Sequence, residues 1–233
     1  MSQIPYSTAL IVGAGPGISA SLARALKSVG LSVGLAARNT GKLAPLAEEI
    51  GALTFAADTA DPDAVARLFD EADAKLGAPD LVVFNAAARV RGRIVDIDAV
   101  EVRRALEVSA FGGFLVTQQA ARRMVLKQHG AILLTGATAS VKGFALSSSF
   151  AMGKFALRGL AQSAARELGP QGIHVVHFVI DGGVRSAVRP DPADSPDSTL
   201  DPDGVAESYL AALRQPRSAW SWEIELRPWV ERF

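Results

Sequence analysis

The first strand-length apolar run, Thr8–Val12, ends in Gly13-Ala14-Gly15-Pro16-Gly17, and an amphipathic stretch begins at once. That order admits few folds. A glycine-rich turn between a strand and a helix lets the backbone approach a bound anion, while the helix start supplies free N–H donors and a positive dipole. From Ile18 onward, Leu22, Ala25, Leu26 and Val29 share one helical face, and Gly30 ends the period. The alternation then repeats. Strand-length runs at Leu31–Ala36, Leu53–Ala57, Leu81–Phe84, Ala131–Thr135 and Ile173–Ile180 are separated by helical stretches. Among these are a helix capped by Asp61 with Pro62 in its first turn, a long helical region from about Asp98 to Gln128, and Ser148–Leu168.

Runs that stay apolar along their length belong to a parallel sheet covered on both faces. The expected fold is therefore α/β: a Rossmann-type doubly wound parallel sheet in three α/β/α layers, as a single domain over residues 1–233. Two segments break the pattern. Residues 185–204 are rich in Asp, Pro and Ser and are expected to form a flexible surface loop, placed to cover a substrate. Near the end, Trp220, Trp222, Ile224 and Leu226 alternate with polar residues, which predicts a strand with one apolar face.

Several functions are excluded early. Lys+Arg number 24 and Asp+Glu 24, so the basic footprint of a nucleic-acid or anionic-membrane binder is missing. The absence of cysteine removes disulfides, thiolate metal sites and a cysteine nucleophile. His174 and His177 lie three apart on a strand and face opposite ways, so they cannot share an ion, and no metal is expected. No apolar run approaches the roughly 18 residues of a membrane span, and the start of the chain carries no cationic leader. A cytoplasmic protein without a membrane or nucleic-acid partner is expected.

The glycine turn lacks the Gly-Lys-Ser/Thr sequence of a nucleoside-triphosphate loop. It resembles instead the TGxxxGxG turn of the short-chain dehydrogenase/reductase family, here Val12-Gly13-Ala14-Gly15-Pro16-Gly17-Ile18-Ser19. Val12 stands at the usual threonine and Ser19 at the last glycine. The family's NNAG corresponds to Phe84-Asn85-Ala86-Ala87, and its aspartate after the third strand to Asp58. The resemblance runs through the tryptophan-bearing end of the chain. It implies a nicotinamide dinucleotide held by Gly13, Gly15, Pro16, Gly17, Ile18, Asp58, Thr59, Asn85, Ala86, Ala87, Lys154, Gly182 and Val184. Dinucleotide folds that prefer NAD carry an acidic residue at the end of the second strand. That position is Ala37, followed by Arg38, and no carboxylate occurs from Leu31 to Lys42. A guanidinium suits a 2′-phosphate, so NADP(H) is favoured over NAD(H).

The resemblance fails at the catalytic positions. The family reduces carbonyls with the Tyr and Lys of YxxxK, a serine after the fifth strand and an asparagine on the preceding helix. The matches here are Phe150-Ala151-Met152-Gly153-Lys154, Ala137 and Ser109. A loop one residue shorter brings Thr138 to the serine position. Only Lys154 is retained, and neither tyrosine of the chain, Tyr6 or Tyr209, can enter the motif. Asp181 stands where the family has a proline. Its carboxylate could orient Lys154, act as a proton donor or, more plainly, cap the next turn. Two readings follow: an NADP(H)-binding oxidoreductase acting on an unidentified carbonyl or alcohol by a non-standard proton donor, or an inactive homologue serving as a nucleotide-binding sensor or structural partner. A homo-oligomer, tetramer or dimer, is also expected, because Phe150, Met152, Phe155, Leu157 and Leu160 surround the Ser148–Leu168 helix on more than one face.

Overall fold

The apolar runs form strands β1 (Thr8–Val12), β2 (Ser32–Ala37), β3 (Leu53–Ala56), β4 (Leu81–Phe84), β5 (Gly130–Thr135), β6 (Ile173–Ile180) and β7 (Glu223–Leu226). In this computed structural model, which describes residues 4–186 and 189–231, they make one parallel sheet in the order β3-β2-β1-β4-β5-β6-β7. The connections run outward from β1 to β3 and then restart at β4 on the other side of β1. That reversal opens a crevice at the carboxyl ends of β1 and β4, where doubly wound sheets bind ligands.

Among the described residues, seven α-helices complete the layers: α1 (Ile18–Ser28), α2 (Ala44–Ile50), α3 (Pro62–Lys75), α4 (Ala99–Leu106), α5 (Gly112–Lys127), α6 (Ser148–Leu168) and α7 (Pro202–Leu213). Successive strand residues point to opposite faces. Thus Ile11, Leu35 and Phe178 enter a core with Leu22 and Leu26 of α1 and Tyr209 of α7. Leu10, Phe84 and Ile132 enter the other, with Phe69 of α3, Met124 of α5 and Leu157 of α6. Each such side chain contributes about 1.5–3 kcal/mol on burial. Aspartates at 61, 98 and 201 cap α3, α4 and α7 through their side chains, and Pro62 and Pro202 follow two of them.

Two expectations are modified. The helical region after Asp98 is interrupted by a π-turn, Glu107–Phe111, between α4 and α5. Ser109 lies in this turn, and its hydroxyl bonds the backbone of Ala88 instead of the helix. The final strand is shorter than the alternation suggests. Trp220 and Trp222 both precede it; the Trp220 ring stacks on His174 at 4.5 Å and its Nε1 donates to the Gln215 carbonyl. In the 185–204 segment, the described residues cluster around Asp191, whose carboxylate accepts from the Thr199 amide and hydroxyl and pairs with Arg185 at 3.2 Å. A Val184–Leu200 bridge closes the base of the segment.

Candidate active site

Three adjoining cavities occupy the crevice, and Asn85 lines all of them. The first, about 340 Å³, is lined by Gly13, Gly15, Pro16, Ala37, Arg38, Thr59, Asn85, Ala86 and Ala87. Its floor depends on two glycines. Gly13 has φ +83°, and a Cβ there would lie 2.2 Å from the Ala86 nitrogen. Gly17 has φ +85° and precedes α1, which no side chain caps. The leading N–H groups of α1 are thereby left for a ligand, and a Cβ at Gly15 would meet nothing, so the space above it is open. Ser19, in the place of the family's last glycine, is buried. Its hydroxyl accepts from Asn85 Nδ2 at 2.6 Å and ties β4 to the start of α1.

Arg38 and Lys42 line the outer end of this cavity, and no carboxylate does. The sequence alone does not single out Lys42, because its wall position arises only when the turn Thr40–Leu43 folds back beside Arg38. Asp58, by contrast, does not line the cavity. Its carboxylate accepts from the Ala60 amide at 3.1 Å and lies 3.7 Å from Arg104. An uncapped helix start and an open glycine floor fit a nicotinamide dinucleotide, and two cations, Arg38 and Lys42, stand on the same cavity wall. A third cavity joins Gly17 and Ile18 to Val184, Arg185 and Ser186.

The second cavity, about 320 Å³, lies between β4, β5 and α6 and is lined by Ile18, Ala137, Thr138, Phe150, Lys154, Gly182 and Val184, among others. Lys154 is its buried cation. Nζ donates 2.6 Å to the Thr135 carbonyl, and burial pulls its pKa from 10.5 down to about 8. Two further N–H donors remain on the ammonium. The Thr135 hydroxyl shares a 2.9 Å hydrogen bond with Tyr209 at the base of the site. Thr138 also faces the cavity, and its hydroxyl has no hydrogen-bond partner among the described residues. Phe150 stands at the family's tyrosine with its ring centroid 5.8 Å from Lys154 Nζ. Ala137 presents only a methyl group.

Asp181 takes none of the roles considered for it. Its carboxylate turns to Arg227 beyond β7, 3.2 Å away, and does not line the cavity. Ser109 likewise acts on the backbone of Ala88 and does not line the cavity. Behind Lys154, His177 is held neutral by burial, with its pKa lowered to about 4. Its Nδ1 hydrogen donates to Glu223 at 3.0 Å, and Glu223 also receives both arms of Arg158. His174, on the opposite face, bonds the Ser221 carbonyl. Among the described residues no cluster of His, Asp and Glu could hold a metal ion. Two residues of the second cavity have no sequence signal of their own: Phe144 and Arg89, whose guanidinium carbon lies 5.0 Å from the Phe150 ring centre.

The model of a protein family described as short chain dehydrogenase matches residues 7–193. Among curated relatives, an uncharacterized oxidoreductase of Staphylococcus aureus (strain N315) is 29% identical, the match covering 98% of this chain and 100% of that protein. Nodulation protein G of Rhizobium sp. (strain N33) is 30% identical, over 96% of this chain and 88% of that one. Among solved structures, a short-chain dehydrogenase from Rhodopseudomonas palustris superposes with a TM-score of 0.83 at 35% identity, covering 96% and 99% of the two chains. A metagenomic short-chain oxidoreductase in complex with NADP gives 0.84 at 27% identity, over 95% and 97%.

Proposed function

The chain belongs to the short-chain dehydrogenase family, and from that premise we propose that it is an oxidoreductase using NADP(H) on a small carbonyl or alcohol, with Lys154 in place of a tyrosine as the proton donor. The observation that carries this reading is Lys154 itself. A buried ammonium with a pKa of about 8 opens on the same cavity as an unbonded threonine hydroxyl. A general acid is most effective when its pKa lies near the working pH.

Gly15, Gly17 and the start of α1 would hold the pyrophosphate, and Arg38 with Lys42 the 2′-phosphate that NAD lacks. The structure of a relative bound to NADP supports a phosphorylated dinucleotide in this family. When bound in reduced form, the nicotinamide supplies a hydride to the carbonyl carbon. As the carbon–oxygen π pair moves onto oxygen, Lys154 Nζ gives that oxygen a proton and later regains one from solvent. Thr138 Oγ1 donates a hydrogen bond to the same oxygen and takes the part of the absent serine. In the oxidation direction the neutral amine of Lys154 accepts the alcohol proton. Val184, Arg185 and Ser186 line the crevice, and the loop that they open would close over the substrate.

The test is isotopic. NADPH deuterated at its transferable position is incubated with the protein and a panel of ketones and aldehydes, and the alcohols are read by mass spectrometry. Deuterium in an alcohol, lost with Lys154→Met and reduced about tenfold or more with Thr138→Val, is the expected result. Bound NADPH with no deuterium transfer to any carbonyl would refute it. That outcome would favour the second reading, a nucleotide-binding sensor or structural partner, which rests on the hydrocarbon groups at both Phe150 and Ala137.

We also place the protein in the cytoplasm as a homotetramer or dimer. Among the described residues no helix is long and apolar enough to cross a membrane. Phe111, Phe114, Met152 and Phe155 of the π-turn, α5 and α6 are exposed, an apolar area larger than isolated surface residues require.

A further inference from the structure

We infer that Arg89 is the specificity-determining residue of the second cavity and selects a carbonyl substrate that carries a carboxylate, a short oxo acid; the inference rests on the oxidoreductase reading above. The cavity that holds Lys154, Thr138 and Phe150 is lined by two cations, Arg89 and Lys154, and by no Asp or Glu. Arg89 forms no ion pair with any described carboxylate. A cavity with two positive groups and no internal anion is complementary to a negatively charged ligand.

The backbone holds Arg89 in place from both sides. The Ala88 amide donates to Ser109 Oγ at 3.0 Å, and Ser109 Oγ in turn contacts the Ala88 carbonyl at 3.4 Å. Ser149 Oγ accepts from the Val90 amide at 3.2 Å and donates to the Val90 carbonyl at 2.7 Å. Both serines are buried, one in the π-turn and one in α6, so the residues on either side of Arg89 are fastened to the helices. The guanidinium, on an exposed residue, is tethered as well. Nη2 donates 2.9 Å to the buried Ser147 hydroxyl, and the planar group sits over the Phe150 ring.

This arrangement gives Phe150 a reason of its own. Its ring is shared by Arg89 at 5.0 Å and Lys154 at 5.8 Å, and an aromatic face attracts both cations. The guanidinium carries five N–H donors in a fixed fork, and one is used on Ser147. The rest can meet a carboxylate bidentately. Lys142 adds a further cation nearby, with Nζ 5.7 Å from the ring of Phe144, a lining residue.

The test measures binding of matched pairs, pyruvate, acetoacetate and 4-oxopentanoate against their methyl esters, by saturation-transfer NMR and calorimetry, with and without NADPH. The protein should bind at least one acid more tightly than its ester. Arg89→Met should weaken that acid by about 10- to 150-fold and leave the ester and NADPH unchanged, while Arg89→Lys should retain part of the preference. In turnover the loss should fall on KM, with kcat held. Equal binding of acids and esters by the unaltered protein would overturn the inference. So would equal losses for acid and ester in Arg89→Met, which would mark a structural or oxyanion role. Failure to bind NADPH would instead sink the oxidoreductase reading, and the acid–ester comparison on the free protein still decides for or against Arg89.

Discussion

Replacing Lys154 by Met should change the pH dependence of stability in a defined window. Burial lowers the folded-state pKa of the ammonium from 10.5 to about 8. Each tenfold change in proton affinity is about 1.4 kcal/mol, so the charged side chain costs the fold roughly 3 kcal/mol below pH 8. Between pH 8 and 10.5 the unfolded chain holds the proton that the folded one has released, and stability therefore rises with pH across that interval. Above 10.5 both states are neutral and the penalty is gone. Methionine has no such titration, although it leaves the Thr135 carbonyl without its 2.6 Å partner, a pH-independent loss of about 1–3 kcal/mol. Urea unfolding of both proteins from about pH 7 to 11 gives the difference directly, and groups common to the two cancel. The stability of the parent relative to Lys154→Met should be flat below pH 8 and then climb by roughly 3 kcal/mol toward pH 10.5. A difference that stays level over the window would show that Lys154 titrates as an ordinary surface lysine, and the case for it as an acid near neutrality would collapse.

Other perturbations test the rest of the site. Arg38→Ala should weaken NADP(H) by about 10- to 150-fold and leave NAD(H) unaffected, since the guanidinium makes its charge-assisted hydrogen bonds to the extra phosphate alone; competitive calorimetry reads both. Phe150→Tyr should hold or raise turnover, because a phenol beside Lys154 adds a second acid, and a steady-state assay showing a loss would contradict that placement. If Phe150→Tyr and the parent are both inactive, Phe150→Tyr with Ala137→Ser is the minimal change expected to create activity under the sensor reading. Light scattering should give a dimer or tetramer for the parent protein and a smaller species for Phe111→Glu with Phe155→Glu, with NADPH affinity kept.

The strands are legible in the sequence because each is a continuous apolar run, and the boundaries of β1, β4 and β6 fall where those runs begin and end. The helix starts at Pro62 and Ser148 are readable for similar local reasons. Lys154 stands out because Phe150-Ala151-Met152-Gly153-Lys154 resembles the family's YxxxK. Arg89 does not, because Arg89, Arg91 and Arg93 look alike in a string of surface arginines. What separates Arg89 is the pair of serine staples from Ser109 and Ser149, which come from distant segments. The role of Asp181 is hidden for the same physical reason: its partner, Arg227, lies beyond β7 and is brought near only by the pairing of β6 with β7. The tryptophan alternation overstates the last strand, which begins only at Glu223, after both tryptophans.

The most direct test of the account is a fluorescence titration of the protein with NADPH and, separately, NADH, following the reduced nicotinamide. Saturable binding of NADPH, tighter than NADH by about tenfold or more, is the predicted result. Equal affinity for the two would contradict the role given to Arg38 and Lys42, and no saturable binding of either would contradict the assignment of the crevice itself.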